Sequence, residues 1–277
     1  MGGIDLEKYA SIGEGRTADV FAYGDKRILK LFQDWIPAFV VEREFIVTRA
    51  AQAAGVPVPT THELIELNGR HGIVFERVEG ISLLAKLQAK PWELFTVASQ
   101  LGELHAQIHE SAAPVELPTQ RQQIVNNIGA TKDLAESEKQ AVNSYLMQLP
   151  EGESLCHGDF HPGNILMSAR GPIIIDWLTG TRGNPLADVA RTLLLIQTAG
   201  LPPGTPKHVR MMINISRSLL LEKYLNRYLQ LRPAERKQID QWRFPLIAAR
   251  LREVLDYPKE KQLLLAQIKS MMKDESK

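Results

Sequence analysis

Residues 154–177 read SLCHGDFHPGNILMSARGPIIIDW, which puts His157, Asp159, His161 and Asn164 within eight residues and Asp176 directly after Ile173, Ile174 and Ile175. Pro162 and Gly163 impose an irregular path, so the first part is a loop and not a helix. Ile165-Leu166-Met167 and Ile173-Ile174-Ile175 read as the two buried strands of a hairpin turning at Arg170-Gly171. Such a hairpin carries Asn164 at its start and Asp176 at its end, so both polar groups emerge at one edge. A carboxylate and a carboxamide together offer oxygen ligands for a hard cation such as magnesium, which in turn holds phosphate oxygens. Asp159, earlier in the same loop, is a candidate to accept a proton from an attacking hydroxyl. Asp-x-x-x-x-Asn is common alone; the preceding His157-Gly158 and the buried strand ending in Asp176 make the combination specific.

A second set lies upstream in IGEGRTADVFAYGDKRILKLF. Gly13 and Gly15 precede a strand, whereas the phosphate loops of nucleotide-binding βαβ folds feed a helix. Two readings stand for the pair, a tight turn or a flap over nucleotide phosphates. On a strand Ile28, Lys30 and Phe32 share one face and Arg27, Leu29 and Leu31 the other. Lys30 therefore sits among apolar neighbours and needs a buried anion. The helix that follows offers VERE: Glu44 shares its mostly apolar face with Val40, Val41, Val47 and Thr48, and Glu42 points to solvent. Glu44 is the expected partner of Lys30.

These residues need elements to position them. DVFAYG and KRILKLF flank Gly24-Asp25, a hairpin signal. FVVEREFIVTRAAQAAG is helical and ends in Gly55, a C-terminal capping residue. THELIEL and GIVFERV form a second hairpin about Asn68-Gly69. From about residue 81 the pattern changes to amphipathic helices: one opened by Pro91, one over ESEKQAVNSYLMQL, and four at about 185–200, 205–231, 233–254 and 259–273. The expectation is an α+β chain with a small β-rich N-lobe over 1–80 and a larger, mainly helical C-lobe over 81–277.

The formal net charge of +1 over 277 residues gives no global attraction to nucleic acid or membrane. It hides an asymmetry: residues 201–277 carry 16 Lys+Arg against 8 Asp+Glu, a net of +8, and the preceding 200 residues a net of −7. A single cysteine, Cys156, excludes an internal disulfide and fits a reducing compartment. Met1–Asp5 shows no basic region followed by an apolar one, and Leu6 stands where a myristoylation signal has Ser or Thr. No apolar run is long enough to span a bilayer. The expectation is a cytoplasmic protein. His105 and His109, at helical i, i+4 spacing, read as core or surface histidines, since no third metal ligand is evident. Cys156 reads as a buried structural thiol.

The set Gly13/Gly15, Lys30, Glu44, FERVEG, HGDFHPGN, IIIDW and GNPLADVART resembles the aminoglycoside phosphotransferase family, small-molecule kinases of the protein-kinase-like fold, in order over about residues 10–200. The resemblance implies a two-lobed fold and transfer of the γ-phosphate of ATP to a hydroxyl, with Mg2+. It implies Asp159 as catalytic base or hydroxyl-orienting carboxylate, Asn164 and Asp176 as metal ligands, and Lys30, paired with Glu44, on the α/β-phosphates. Gly13 and Gly15 would cover the nucleotide, backbone groups near Arg77 and Val78 would meet adenine, and Asp188 would brace the catalytic loop. His161 touches substrate or hydrogen-bonds the loop; both stand. The chain departs from protein kinases in having His-Gly-Asp at the loop and Trp177-Leu178 after Asp176. Leu178 and Thr179 are neutral where many members carry an acid.

Substrate charge follows from the basic tail. If its cations face the cleft, they favour a neutral or anionic small molecule over a polycation; if they are solvated helix faces, they do not bear on it. Trp242, Tyr224 and Tyr228 are the candidates for an aromatic cage around a choline-like cation. Two rival readings are a nucleotide-binding pseudokinase scaffold and a kinase of protein side chains.

Overall fold

The computed structural model describes residues 10–201, 204–254 and 257–275. The N-terminal residues read above for a leader or lipid signal lie outside that range. In chain order the first elements are β1 Ser11–Glu14, β2 Ala18–Ala22, β3 Arg27–Phe32, α1 Ala38–Ala53, β4 Thr61–Leu67, β5 Arg70–Glu76, β6 Gly80–Ser82 and α2 Leu83–Ala89. Then follow α3 Leu94–Glu110, α4 Gln120–Ala130, α5 Glu136–Gln148, β7 Ser154–Cys156, β8 Ile165–Ser168, β9 Gly171–Ile174 and β10 Thr181–Gly183. The last five are helices: α6 Pro185–Thr198, α7 Lys207–Leu231, α8 Arg236–Asp240, α9 Arg243–Arg250 and α10 Pro258–Glu275. The architecture is α+β, with a β-rich N-terminal sheet and a helical C-terminal part.

The chain forms two compact units. The smaller holds the described residues through Gln88 together with Pro162–Gly180; the larger holds Ala89–His161 and the residues from Thr181 on. In the smaller unit an antiparallel sheet runs in the order β1-β2-β3-β5-β4. Asn68 (φ 51°) and Gly69 (φ 76°) close β4 on β5 in the left-handed pair that suits the sheet's twist. Strand alternation divides β3 as the period predicts. Leu29 and Leu31 pack with Leu67 and Val74 on one face. Phe32 packs with Ile73, Phe75 and Val41 of α1 on the other, which is the face of Lys30. The hairpin β8–β9 turns at Ala169-Arg170 and joins this unit because β8 pairs antiparallel with β6.

In the larger unit α3, α6, α7 and α9 supply most of the fully buried side chains, and β7 pairs with β10. Gly102 is what lets α3 and α7 approach: a Cβ there would meet the Tyr224 carbonyl at 2.7 Å. Only the C-terminal half of α7 is buried, through Leu220, Tyr224, Leu225 and Tyr228. The single helix expected over 233–254 is instead two, α8 and α9. Pro245 has no N–H for the carbonyl of Gln241, so one continuous helix cannot run through that turn. Helices α2 and α4 were not expected. α4 is capped by Thr119, whose hydroxyl accepts from the Gln122 N–H, but its Gln- and Asn-rich sequence carries only a thin apolar stripe, Ile124 and Ile128.

Candidate active site

The smaller unit carries one half of the expected constellation. Lys30 Nζ donates to both carboxylate oxygens of Glu44, at 2.7 and 2.9 Å, and to Asp176 Oδ1 at 2.9 Å. Glu44 is 1% exposed and Glu42 faces solvent, so the apolar face of α1 does select the buried acid. Burial works against the Lys30 charge, but the carboxylates of Glu44 and Asp176 outweigh it and hold the ammonium above its usual range. Burial pushes Glu44 up to about 7, with Lys30 opposing and the charge of Asp176 adding to the rise.

Asn164 and Asp176 lie at the two ends of the β8–β9 hairpin. Ile165 pairs with Ile174, and the Ile175 N–H donates to the Asn164 carbonyl at 3.0 Å, so the register sets the two polar residues at one edge. Asp176 has φ 65°, an unusual conformation for a side chain with a Cβ. Such strain, of order 1–3 kcal/mol, persists where surrounding structure enforces it, as at ligand sites. Two residues on, the Leu178 carbonyl accepts from Arg43, and a Cβ on Gly180 would lie 2.3 Å from Val47, so the segment after Asp176 is packed tightly onto α1. Gly13 lies in β1, and the Gly15 N–H closes the β1–β2 turn on the Ala18 carbonyl at 2.9 Å. The Arg77 N–H donates to the Lys26 carbonyl at 2.8 Å, which ties the segment before Val78 to the start of β3.

The larger unit carries the other half. The loop from His157 to Phe160 is held along its backbone by the first turns of α6. Asp188 Oδ2 accepts the His157 N–H at 2.6 Å and Oδ1 the Gly158 N–H at 2.8 Å. Arg191 donates to the Gly158 carbonyl, and the Thr192 hydroxyl to the Phe160 carbonyl at 2.9 Å. Arg191 is itself anchored by both carboxylate oxygens of Glu253, at 2.9 and 3.0 Å. Four backbone groups of an irregular loop are thus satisfied by three side chains of one helix. Asp159 projects from this held segment, with His161 Nε2 3.6 Å from its Oδ2. Burial alone would raise the Asp159 carboxyl, but His161, Arg191 and His157 hold it well below the ordinary range.

Beneath the loop, His105 and His109 are fully buried, and each presents Nε2 to Asp188 Oδ2, at 3.1 and 3.3 Å. Their Nδ1 atoms meet the hydroxyls of Tyr224 and Tyr228 at 2.7 and 2.8 Å. Of the two placements read for the histidines, core and surface, the structure has the core one, and they serve Asp188, which supplies the third polar group that spacing along α3 does not reveal. Trp242, Tyr224 and Tyr228 are all buried, and the tyrosine hydroxyls are committed to histidines, so these three build no cage for a quaternary cation. Part of the basic tail is paired within the unit: Arg227 with Glu103, Arg236 with Glu222, Arg250 with Glu253 and Glu260, and Lys261 with Asp133. A groove of about 500 Å³ on α7, lined among others by Lys207, Arg210, Met211, Asn214, Ile215 and Leu219, has no acidic lining residue among the described residues.

Arg191 and Thr192 carried no role in the sequence expectation, and Tyr224 and Tyr228 entered it only as candidate cage aromatics. Their available signals were the spacing Asp188-x-x-Arg191-Thr192 and two i, i+4 pairs, His105/His109 and Tyr224/Tyr228, each of which looks like ordinary helix filling alone.

Residues 8–210 match the phosphotransferase enzyme family. Among solved structures, a thermostable mutant of aminoglycoside phosphotransferase APH(4)-Ia shares 17% identity over 97% of each chain, with a TM-score of 0.66. The same enzyme in a ternary complex with ADP and hygromycin B gives the same score at 16% identity, over 97% of this chain and 96% of that one. A choline/ethanolamine kinase family protein from Mesorhizobium loti shares 19% identity over 95% of this chain and 87% of that one, with a TM-score of 0.63. At such identities the likeness is one of fold. By sequence, acyl-CoA dehydrogenase family member 10 of Mus musculus is 28% identical over 179 residues, 57% of this chain. The match spans 17% of that relative's length. Among the described residues no helix is long and apolar enough to cross a membrane.

Proposed function

The chain belongs to the phosphotransferase enzyme family, and on that premise we propose that it transfers the γ-phosphate of ATP to a hydroxyl of a small molecule. The observation that carries this reading is the buried ammonium of Lys30 bonded at once to Glu44 and Asp176. A lysine so held is a fixed cation for phosphate oxygens, and it sits beside a carboxylate that can ligate a metal. Asn164 and Asp176 offer the oxygen donors a magnesium ion takes, and Mg2+ held there would neutralise charge on the phosphates.

The chain's own residues do the rest. Asp159, ionised and presented by a loop with little freedom, accepts the proton of the acceptor hydroxyl. The hydroxyl oxygen then forms its bond to the γ-phosphorus as the bond to the β-phosphate oxygen breaks. Asp188 braces the loop through the His157 and Gly158 amides, so Asp159 is placed before the acceptor arrives. His161, next to Asp159, is suited to touch the acceptor. Gly13 and Gly15 cover the nucleotide, and backbone near Arg77 and Val78 meets the base. Solved relatives captured with ADP support nucleotide use.

The acceptor is neutral or anionic and not polycationic. Support comes from the net charge of +8 over residues 201–277, part of it at Lys207 and Arg210 on the α7 groove, which has no carboxylate in its lining among the described residues. The test is ADP release from Mg-ATP across hydroxyl compounds graded by charge, with Asp159→Asn beside wild type. Acceptor-dependent turnover lost at least a hundredfold in the variant is the expected result. Failure of wild type to bind Mg-ATP would refute the proposal.

A further inference from the structure

Asp188 receives four donors. Two are the loop amides, and two are imidazole nitrogens converging on Oδ2. Burial would raise this carboxyl, but the hydrogen bonds from His105 and His109 hold it well below the ordinary range, so it is an anion and only accepts. Both Nε2 atoms must then carry the proton. The two rings lie 4.2 Å apart, and burial lowers His105 to about 4 and His109 in the same direction, which favours neutral rings over two adjacent cations. A neutral imidazole protonated on Nε2 has a bare lone pair on Nδ1, and the hydroxyls at 2.7 and 2.8 Å are the donors that meet it.

The opposite tautomer would aim two lone pairs at a buried carboxylate. The Asp188 anion forbids it, and the tyrosine hydroxyls, which can donate or accept, are then left to donate to Nδ1 and hold each ring in place. The spacing supports a built device: His105 and His109 on α3 and Tyr224 and Tyr228 on α7 are both i, i+4 pairs, matched rung to rung where Gly102 lets the helices close. Also facing the cluster are His157 and Cys156 from β7 and its loop, Arg191 and Thr192 of α6, of which Thr192 bonds the Tyr224 hydroxyl, and Arg232 at the end of α7, which bonds the Tyr228 hydroxyl.

We propose that Tyr224 and Tyr228 are positioning residues for the loop carrying Asp159: their hydroxyls donate to Nδ1 of His105 and His109 and hold each ring so that its Nε2–H meets the Asp188 carboxylate, which in turn holds the His157 and Gly158 amides. Both tyrosines lie beyond the residues that match the family, so the C-terminal helices take part in presenting the base. The kinetic half of this statement rests on the phosphotransfer proposed above; the tautomer half does not.

The experiment uses the full chain labelled with 15N-histidine, as wild type, Tyr224→Phe and Tyr228→Phe, which delete one hydroxyl each. Long-range 1H–15N spectra of wild type should show His105 and His109 protonated on Nε2, with Nδ1 bare from pH 7.5 to 5.5. Tyr224→Phe should perturb His105 and Tyr228→Phe His109. In ADP release each variant should lose about tenfold in kcat at unchanged KM for ATP, the loss of one hydrogen bond's worth of ordering. Protonation on Nδ1 in wild type would overturn the proposal, as would Phe variants with unchanged spectra and unchanged kcat. The three ligand atoms lie within 4.8 Å of one another, so a cation held by the histidines is the rival. It would remove both Nε2–H signals and likewise overturn the proposal. Absent wild-type turnover with the expected spectra would sink the kinase reading and the kinetic half, and leave the tautomer assignment standing.

Discussion

Acid should loosen the larger unit well before carboxylates begin to protonate, and the reason is His105. Its ring is 0% exposed and burial lowers it from 6.5 to about 4, with the nearby His109 adding to the fall and Asp188 opposing it. The unfolded chain takes up the proton near pH 6.5 and the folded chain does not. Stability is therefore full above pH 6.5 and drains as pH falls toward 4. At about 1.4 kcal/mol per pH unit, that window is worth about 3 kcal/mol. His109 adds in the same direction. Asp188 and Asp159, both lowered, add their own loss only below the ordinary carboxylate range. Glu44, raised to about 7, has the opposite sign in the same window, so wild type alone is not diagnostic. His105→Gln isolates the effect, because its amide N–H can still donate to Asp188 but does not titrate. Urea unfolding followed by helical circular dichroism between pH 7.5 and 4.5 should give a wild-type slope that the variant mostly lacks. Equal slopes in the two proteins would show that His105 is protonated in the fold, and the neutral pair would be refuted.

Two further perturbations test the smaller unit. Lys30→Met leaves the buried Glu44 without its ammonium and should lower stability by about 3–5 kcal/mol at pH 7.5 by urea unfolding, with Lys30→Met/Glu44→Leu recovering most of it; a loss under about 1 kcal/mol would mean that Glu44 is already protonated. Gly180→Ala drives a methyl to within 2.3 Å of Val47 Cγ1, which should remove about 1–3 kcal/mol and show as a lower melting temperature, whereas an unchanged one would mean that α1 gives way.

What could be read from sequence was whatever one strand or one helix fixes by its own period. The two faces of β3 named Lys30 as a buried cation, and the face of α1 chose Glu44 over Glu42. The hairpin register delivered Asn164 and Asp176 to one edge. Contacts that need two distant helices in register stayed hidden. Tyr224 and Tyr228 mean nothing until α7 lies along α3, and Arg191 is an ordinary helix residue until the Gly158 carbonyl meets it. The break between α8 and α9 was missed because apolar spacing continues through Trp242 while Pro245 silently removes a donor. α4 was passed over because tertiary packing supplies what its polar sequence lacks.

The pairing of β6 with β8 sets a timetable for synthesis. β6 ends at Ser82 but its partner begins at Ile165, so the smaller unit cannot complete its second sheet when its own N-terminal residues leave the ribosome. At about 5–20 residues per second, the edge of β6 waits several seconds while the chain for α3, α4 and α5 is made. During that interval an exposed strand edge is available to other nascent chains. The protein's yield in a cell should therefore depend on translation speed and on chaperones acting before residue 180, independently of how stable the finished fold is.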